Sequence, residues 1–167
     1  MDIDKIINLE YGGLSKNDLL IRLNSSGILL NDFAITILSN DLFKVSNQKK
    51  QISLFVTSIK EMGFSEGATI EEIKKNMKNY ELSECPLEIA PYLRLYLNNQ
   101  EEIKEERVNQ SPAGSLTIFS NPLLKDDDFP KGFYLRKIDG KLWLRGYRCS
   151  LDYIWNPDDK LVFQLNN

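Results

Sequence analysis

The first forty residues alternate short apolar stretches with polar positions that suit helix caps. In residues 3–9 the isoleucines fall at helical spacing, and the pair Gly12-Gly13 that follows is typical of a helix end, so we predict a first helix there. Ser15 and Asn31 each precede an apolar stripe at helical spacing. Because Ser and Asn side chains accept hydrogen bonds from the free backbone N–H groups at a helix start, these two residues predict a second and a third helix.

Two runs rich in β-forming residues follow, at 42–45 and 51–57, and the polar turn between them predicts a β-hairpin near residues 42–58. Three helices followed by a hairpin is the order of a winged-helix unit. The charge pattern opposes DNA binding by such a unit, because no Lys or Arg lies between Arg22 and Lys44 to meet a phosphate backbone. We therefore interpret this part as a helical core or a protein-binding winged helix.

Two more helices are predicted between residues 63 and 99. Thr69 and Glu72 have the spacing of a capping box, in which both side chains satisfy free backbone N–H groups at the helix start. Pro86 suits the first turn of the following helix, and Pro91 should start or kink that helix because proline lacks a backbone N–H. This part of the chain is therefore expected to be rich in α-helix.

A charged run at 100–107 and a polar stretch up to residue 114 predict a solvated linker or a frayed helix end. We place a domain boundary in this stretch, at residue 110. Residues 1–110 then form an α-rich domain and residues 111–167 a second one, unless the two pack as one unit.

The last third of the chain has the pattern of an antiparallel β-meander. Five runs are strand-like: residues 115–119, 133–138, 141–147, 153–155 and 161–163. The pair Asp139-Gly140 is typical of a type I′ hairpin turn, in which both central residues need positive φ. The predicted fold class is therefore α+β, with an α-rich, winged-helix-like N-terminal part followed by a C-terminal antiparallel β-meander.

The two-residue turn fixes the register of the hairpin, so the residues of each face can be named. Leu135 and Leu144 belong to the face that is expected on the core. The opposite face, called the mixed face below, interleaves aromatic rings with cations. Its residues are the candidate binding residues: Tyr134, Arg136, Lys141, Trp143, Arg145 and Tyr147.

Three interpretations of the mixed face are open at this point. A sheet face of this composition can stack nucleobases or sugars on its rings while its cations neutralise phosphate, each base stack contributing about 1–3 kcal/mol. A solvated face in which arginines lie over Trp and Tyr rings as cation–π pairs has the same composition. So does a face whose rings are buried against the N-terminal helices while the arginine heads reach solvent.

Composition excludes several classes of enzyme. The chain of 167 residues has no histidine, which removes Ser-His and Cys-His hydrolase chemistry and the commonest zinc ligand, and it has no G-x-x-x-x-G-K-[ST] phosphate loop. Cys85 and Cys149 are too far apart for a C-x-x-C site and are expected to be reduced thiols. Asp126-Asp127-Asp128 lacks the spacing of a calcium loop and predicts a solvated acidic loop. We predict no catalytic residue, no cofactor, no metal site and no enzyme activity.

The overall proportions are those of an ordinary globular protein, with 21 Lys+Arg, 24 Asp+Glu and a net charge of −3. The start of the chain lacks a basic segment followed by an apolar run, and no stretch reaches the roughly 18 apolar residues of a membrane span. We therefore expect a cytoplasmic protein that makes no contact with a membrane.

Three stretches of the sequence resemble a small family of bacterial proteins of uncharacterised function, some of which carry the label "helicase". They are Glu84-Cys85-Pro86-Leu87-Glu88, residues 111–118, and residues 126–136 together with 142–147. The resemblance covers most of the chain and brings no catalytic residues with it. It implies an association with nucleic-acid machinery, although the chain has no helicase motif.

Two hypotheses for the function follow. The leading one is a non-enzymatic binding or adaptor protein that acts through contacts with a protein partner, since the helical part offers enough apolar surface to hold one. The alternative is a nucleic-acid-binding accessory protein that holds a single strand on the mixed face. Exposed Tyr134 and Trp143 rings beside the arginines would favour this alternative, and a carboxylate pair with perturbed pKa values in a cleft would favour an enzyme.

Overall fold

A single curled sheet dominates the fold. The computed structural model describes residues 5–166, and within this range eight strands form one mixed sheet accompanied by four short α-helices. The strands are β1 (Ile6–Gly12), β2 (Leu29–Leu30), β3 (Lys49–Ser58), β4 (Leu82–Ser83), β5 (Leu116–Ile118), β6 (Gly132–Ile138), β7 (Lys141–Tyr147) and β8 (Lys160–Leu165). The helices are α1 (Lys16–Ser25), α2 (Asp32–Ser39), α3 (Ile70–Met77) and α4 (Ile89–Tyr96).

Strands from distant parts of the chain are neighbours in this sheet. Their order is β1-β3-β8-β5-β6-β7-β2, and β4 also pairs with β8. Most pairs are antiparallel, whereas β5 runs parallel to β8 and β2 runs parallel to β7. The sheet curls into a half-barrel, in keeping with the twist that accumulates from strand to strand.

The predicted division into an α-rich N-terminal part and a C-terminal β-meander is wrong. Residues 6–9, predicted as part of a helix, lie in β1 (Ile6–Gly12), because their apolar residues also fit a period of two. Leu9 and Tyr11 are buried whereas Asn8 and Glu10 are exposed, as expected for a strand with one face on the core. The start of the predicted helix lies outside the described residues.

The predicted hairpin near residues 42–58 is wrong as well, and with it the winged helix. Only its second run forms a strand, β3, which pairs with β1 and β8 rather than with residues 42–45. In the first run Phe43 is buried, and its ring meets the Phe133 ring edge-on with 6.2 Å between the centroids. The apolar character of this run therefore reflects a contact in the core.

The last predicted strand pair does not form either. Residues 161–163 lie in β8, which pairs with β3, β4 and β5. Trp155 instead makes an isolated bridge with Ala68, in the segment before α3. Residues 156–159 do form a tight turn, in which the Asp159 N–H donates to the Asn156 carbonyl oxygen at 2.9 Å, but this turn connects two segments that are not paired with each other.

Several locally encoded features are confirmed, whereas Pro86, expected in the first turn of a helix, precedes α4, which begins at Ile89. Ser15 caps α1 and Asn31 caps α2, each through a side-chain oxygen that accepts a hydrogen bond from a backbone N–H. Thr69 and Glu72 form both hydrogen bonds of the capping box at the start of α3. Pro91 lies in the first turn of α4, where the missing N–H costs no helical hydrogen bond.

The β6–β7 hairpin forms in the predicted register. Arg136 lies opposite Trp143, as the two-residue turn requires. Asp139 and Gly140 have φ values of 49° and 75°, the left-handed conformations of a type I′ turn. The two faces of the hairpin are therefore those that the sequence defines.

Strands on both sides of residue 110 share the sheet, because β3 pairs with β8. Residues 99–114, called the connector below, contain no helix or strand, yet they are fastened to the sheet. Gln100 Nε2 donates to the carbonyl oxygens of Gly114 and Leu135 at 2.9 and 3.0 Å. Arg107 Nη1 donates to the buried Asp159 carboxylate at 3.0 Å. The connector is thus a wall of the fold rather than a free linker.

A buried arginine joins the connector to the hairpin. Arg94 in α4 is fully buried, and its Nη1 donates to Gln100 Oε1 at 2.6 Å and to the Trp143 carbonyl oxygen at 3.3 Å. Its Nη2 donates to the Leu97 carbonyl oxygen. Burial lowers the pKa of this guanidinium to about 10, so it stays charged at neutral pH.

The two faces of the sheet are covered differently. On one face α1, α2 and α4 bury a large apolar core that includes Leu54, Leu135, Leu144 and Val162. On the opposite face α3 covers β3 and β8, and a second apolar cluster forms around Phe163 and Trp155. The mixed face of the hairpin lies on this second side, beyond the part that α3 covers.

Candidate functional site

The hairpin places its two sets of side chains on opposite sides of the sheet. Leu135 and Leu144 face each other across the strands and are fully buried under the helices. Tyr134 and Arg145 are likewise cross-strand partners, and their side chains lie on the other side because successive residues of a strand alternate. The candidate site therefore stands on two hydrogen-bonded strands whose positions are fixed by the core beneath them.

A cleft of about 480 Å³ opens beside these residues, and it is called the cleft below. Its floor is formed by the hairpin and β5, and its walls by the connector and by the segment between β7 and β8. The residues that matter for its chemistry are Phe33, Tyr134, Arg145, Tyr147, Arg148, Tyr153 and Trp155.

Three aromatic rings form one end of the cleft. The Tyr147 and Trp155 rings are perpendicular with 5.7 Å between their centroids, and the Tyr153 and Trp155 rings are nearly perpendicular at 5.3 Å. Tyr153 Oη accepts a hydrogen bond from the Ser111 backbone N–H at 2.9 Å, which fastens the connector to this wall. Burial raises the pKa values of Tyr147 and Tyr153, so both phenols are neutral at physiological pH.

Arg145 is the central cation of the site. Its Nε donates to Tyr134 Oη at 2.8 Å, and its guanidinium lies 5.9 Å from the Tyr134 ring centroid and 5.0 Å from that of Trp143. These cation–π contacts hold the group in place. Among the described residues no carboxylate forms an ion pair with it, and neither of its Nη atoms has a hydrogen-bond partner. The charge of Arg145 is therefore positioned but not neutralised.

Arg148 stands at the rim of the cleft. Its guanidinium lies 4.9 Å from the Phe33 ring centroid and 3.8 Å from the Asp128 carboxylate. Half of the Arg148 side chain and nearly all of the Asp128 side chain are exposed to solvent. An ion pair of this kind contributes little to stability, so Arg148 can turn toward a ligand at small cost.

The charged residues that line the cleft are all cationic, although the chain as a whole is acidic. Arg145 and Arg148 are its charged residues, and none of the lining residues is Asp or Glu. The protein as a whole carries a net charge of −3. A hydrogen-bond donor is also unsatisfied there, because Trp155 is 3% exposed and its indole Nε1 is buried without a partner among the described residues.

The residues of the predicted mixed face do not all lie in one site. Tyr134, Arg145 and Tyr147 line the cleft, and Trp143 contacts Arg145 from outside it. Arg136 borders a smaller cavity of about 270 Å³ beside the acidic connector residues Glu105 and Glu106, and its buried Nε has no partner within residues 5–166. Lys141 is exposed at the end of the hairpin.

The cation–π interpretation of the mixed face describes the observed contacts best. Arg145 covers parts of both the Tyr134 and the Trp143 rings, so these rings do not form an open stacking platform. Tyr134 itself is only 8% exposed. Burial of the rings against α1, α2 and α4 does not occur, because these helices lie on the other side of the sheet, whereas Tyr147 packs against the cluster to which α3 contributes.

Of the seven cleft residues named above, the sequence identifies three as candidates and leaves four unidentified. Phe33, Arg148, Tyr153 and Trp155 come from segments whose positions depend on contacts far along the chain, such as the bridge between Trp155 and Ala68. The sequence contains one signal for these residues: residues 143–155, close to the end of the hairpin, include four aromatic residues, two arginines and one cysteine.

The thiols and acidic loop show no feature of a reactive centre. Burial raises the pKa of Cys85 and also that of Cys149, which lines the cleft, so both are protonated thiols at neutral pH. Asp126–Asp128 lie on an exposed loop, where Asp126 Oδ1 accepts a hydrogen bond from the Asp128 backbone N–H. Within the described part of the chain, no three His, Cys, Asp or Glu side chains are grouped so as to hold a metal ion.

Comparison with protein-family models, with curated proteins and with solved structures finds no match to this chain. Within residues 5–166 no helix has both the length and the apolar character needed to cross a bilayer. The chemistry of the cleft is therefore the basis on which a function can be argued.

Proposed function

We propose that this protein is a non-enzymatic, nucleic-acid-binding accessory protein that holds a single strand in the cleft. One observation carries the proposal: two arginines and several aromatic rings line the cleft, no carboxylate does, and the chain as a whole is acidic. Such a concentration of positive charge in one place of an acidic protein suits a local contact with an anion. We place this activity in the cytoplasm, where Cys85 and Cys149 would stay reduced as the free thiols they are.

The contacts available in the cleft match the two parts of a nucleotide. The free Nη atoms of Arg145 can donate two hydrogen bonds to one phosphate, the geometry for which a guanidinium is suited. Tyr147 and Tyr153, which line the cleft and are half-buried, are the rings that a base can contact there, since Arg145 covers the Tyr134 and Trp143 rings. Aromatic rings bind bases with little sequence preference, because every base has a π face. Aromatic rings together with guanidinium groups are typical of sites that bind single-stranded nucleic acid.

The number of cations sets the expected salt dependence. Arg145 and Arg148 can neutralise about two phosphates, and single strands lose about 0.7 units of log affinity per phosphate for each tenfold rise in salt. We expect an affinity loss of roughly 25-fold between 20 and 200 mM salt. A much steeper dependence would mean that cations outside the cleft carry the binding.

A protein ligand is the second candidate, and one observation favours it. Leu151 and Ile154 are 71% and 61% exposed, and both lie in the segment that forms one wall of the cleft. An acidic peptide could place a carboxylate on Arg145 and apolar side chains on these two residues. This candidate is the adaptor hypothesis in a specific form.

Fluorescence anisotropy with labelled 12-nucleotide RNA and DNA tests the proposal. The informative variant is Arg145→Ala, and its matched control is Lys141→Ala, which removes one cation from the same face of the same strand but outside the cleft. We expect Arg145→Ala to weaken binding about tenfold or more and Lys141→Ala to change it by less than about twofold.

Three outcomes would count against single-strand binding. Absence of binding at 20 mM salt would overturn it directly. Equal losses in Arg145→Ala and Lys141→Ala would show a diffuse charge effect rather than a site. Binding of an acidic, leucine-containing peptide with higher affinity than the oligonucleotides, lost in Arg145→Ala, would replace this proposal by the protein candidate.

A further inference from the structure

The size of the cleft suggests what part of a strand enters it. Its volume of about 480 Å³ falls in the lower part of the range of roughly 300–1,000 Å³ that is typical of small-molecule sites. Single-strand binding folds instead offer grooves that follow about 4–16 nucleotides. A cleft of this size therefore suits one nucleotide better than a long stretch of strand.

The charges suggest which nucleotide. A phosphate inside a strand carries one negative charge, whereas a terminal phosphate monoester carries about 1.5 to 2 at neutral pH. Arg145 and Arg148 both contribute to the cleft, and no carboxylate lines it. Arg145 has both Nη atoms free among the described residues, and Arg148 has only the exposed Asp128 at 3.8 Å. Two guanidinium groups match a dianion better than a monoanion.

An unsatisfied donor suggests how the rest of the ligand is held. Trp155 is one of the residues that line the cleft, and its Nε1 is buried without a hydrogen-bond partner in the described part of the chain, so a ligand reaches this atom only by displacing part of the cleft wall. A buried donor without an acceptor is unfavourable, and native proteins contain few of them. Every nucleobase carries ring nitrogens or carbonyl oxygens that can accept this hydrogen bond.

We propose that the cleft is a site for one nucleoside monophosphate unit, with the terminal phosphate on Arg145 and Arg148 and a base acceptor on Trp155 Nε1. The inference rests on the proposed function, because it specifies the ligand of the same cleft. The unit can come from the phosphorylated end of a strand or from a free nucleotide, and both present the same phosphate and base. Trp155 is then the residue that distinguishes a nucleotide from inorganic phosphate, and Arg148 is the residue that distinguishes a terminal from an internal phosphate.

Competition separates the two sources of the ligand. A labelled 12-nucleotide RNA with a 5′-phosphate, the same RNA without it, and the same RNA with a 3′-phosphate are titrated with the full chain. The four nucleoside monophosphates, the matching nucleosides and inorganic phosphate then compete with the labelled strand. We expect one phosphorylated end to bind about tenfold more tightly than the unphosphorylated strand, and nucleoside monophosphates to compete at least tenfold better than nucleosides or inorganic phosphate.

Two variants test the assigned contacts. Arg148→Gln removes an exposed cation, so it should weaken binding of both strands, and it should weaken binding of the phosphorylated strand more, which abolishes the preference for the phosphorylated end. Trp155→Phe removes the indole N–H and should weaken nucleotide binding about three- to tenfold. Its matched control is Trp143→Phe, which removes an indole that lies outside the cleft. Thermal melting of each variant shows whether the fold is intact, and Arg148→Gln gives the answer independently if Trp155→Phe does not fold.

The outcomes distinguish the inference from the function on which it rests. If strands bind through Arg145 but phosphorylated ends and free nucleotides have no advantage, the proposed function stands and the nucleotide site is wrong. If no nucleic acid and no nucleotide binds, both are wrong. If Trp155→Phe and Trp143→Phe bind equally well, the Trp155 N–H lies against the perpendicular tyrosine rings and takes no part in the ligand contact.

Discussion

Leu144 and Arg145 are neighbours in β7, and they belong to two different environments. Leu144 is fully buried in the core that α1, α2 and α4 form on one face of the sheet. Arg145 lies on the opposite face, where it contacts two aromatic rings and lines the cleft. One strand thus carries both core and candidate site, because its side chains alternate.

This arrangement separates stability from binding. The core under the helix-covered face fixes the positions of the strands. These positions determine where the side chains of the mixed face lie. Asn31 at the start of α2 strengthens the link, since its side chain donates to the Gly146 carbonyl oxygen at 3.0 Å and accepts from the Gly146 N–H at 2.8 Å. Sites held by regular strands are more precise than sites on loops.

The largest expected effect contrasts the two neighbours. Leu144→Ala removes a fully buried side chain and should lower the free energy of unfolding by about 2–5 kcal/mol. Arg145→Ala removes two cation–π contacts and one hydrogen bond, so it should lower that free energy by about 1.5–2 kcal/mol, the low end of their summed contributions because the side chain is partly exposed. Urea unfolding followed by circular dichroism measures both values.

The binding assay should give the opposite order of effects for Leu144→Ala and Arg145→Ala. Arg145→Ala should lose binding, and Leu144→Ala should retain it at a temperature where the variant is folded. A loss of stability in Arg145→Ala as large as that in Leu144→Ala would mean that the mixed face is a second core, and the comparison between the two faces would fail.

A smaller effect is expected where the two faces are joined. A Cβ atom added to Gly146 would lie 2.6 Å from the Phe33 carbonyl carbon and 2.7 Å from the Ala34 backbone nitrogen. Gly146→Ala should therefore push α2 away from β7 and lower the free energy of unfolding by about 1–3 kcal/mol. Binding should weaken as well, because Phe33 at the rim moves with α2 and loses its contact with Arg148. Unchanged stability would show that α2 is not held tightly against the strand.

The same contrast explains which features the sequence could predict. The hairpin register depends on Asp139-Gly140 alone, and each helix cap depends on residues within one turn. These signals are local, so the pattern along the chain contains them. Three residues of the cleft, Tyr134, Arg145 and Tyr147, could be predicted from these signals, since the alternation that buries Leu144 places Arg145 on the opposite face.

The features that were wrong depend on distant contacts. The apolar residues of β1 fit both a helical period and a period of two, and the choice is made by β3, whose Ile52 pairs with Leu9 from more than forty residues away. The Tyr153 and Trp155 wall is likewise positioned by the bridge to Ala68. A single sequence does not specify such pairs.

The smallest effect concerns the part of the opposite face that α3 covers. The segment between β3 and α3 contains Glu61, which accepts hydrogen bonds from the Ser58 N–H at 2.9 Å and from Lys5. These bonds lower the pKa of Glu61 from 4.5 to about 2, the Lys5 contact having the largest effect. A pKa that is lower in the folded state gives stability that is present above pH 4.5 and is lost as the pH falls toward 2.

Glu61→Gln should therefore lower the free energy of unfolding at pH 7 by about 0.2–1 kcal/mol, the range of ion pairs that are screened by solvent. The difference from the wild type should shrink as the pH falls and vanish near pH 2, because the wild-type carboxylate is then protonated as well. Urea titrations at several pH values measure this, with Glu66→Gln, an exposed neighbour in the same segment, as the control. A constant difference at all pH values would mean that Glu61 acts through packing rather than through its charge. Binding in the cleft should not change in either variant, because neither Glu61 nor Glu66 lines the cleft.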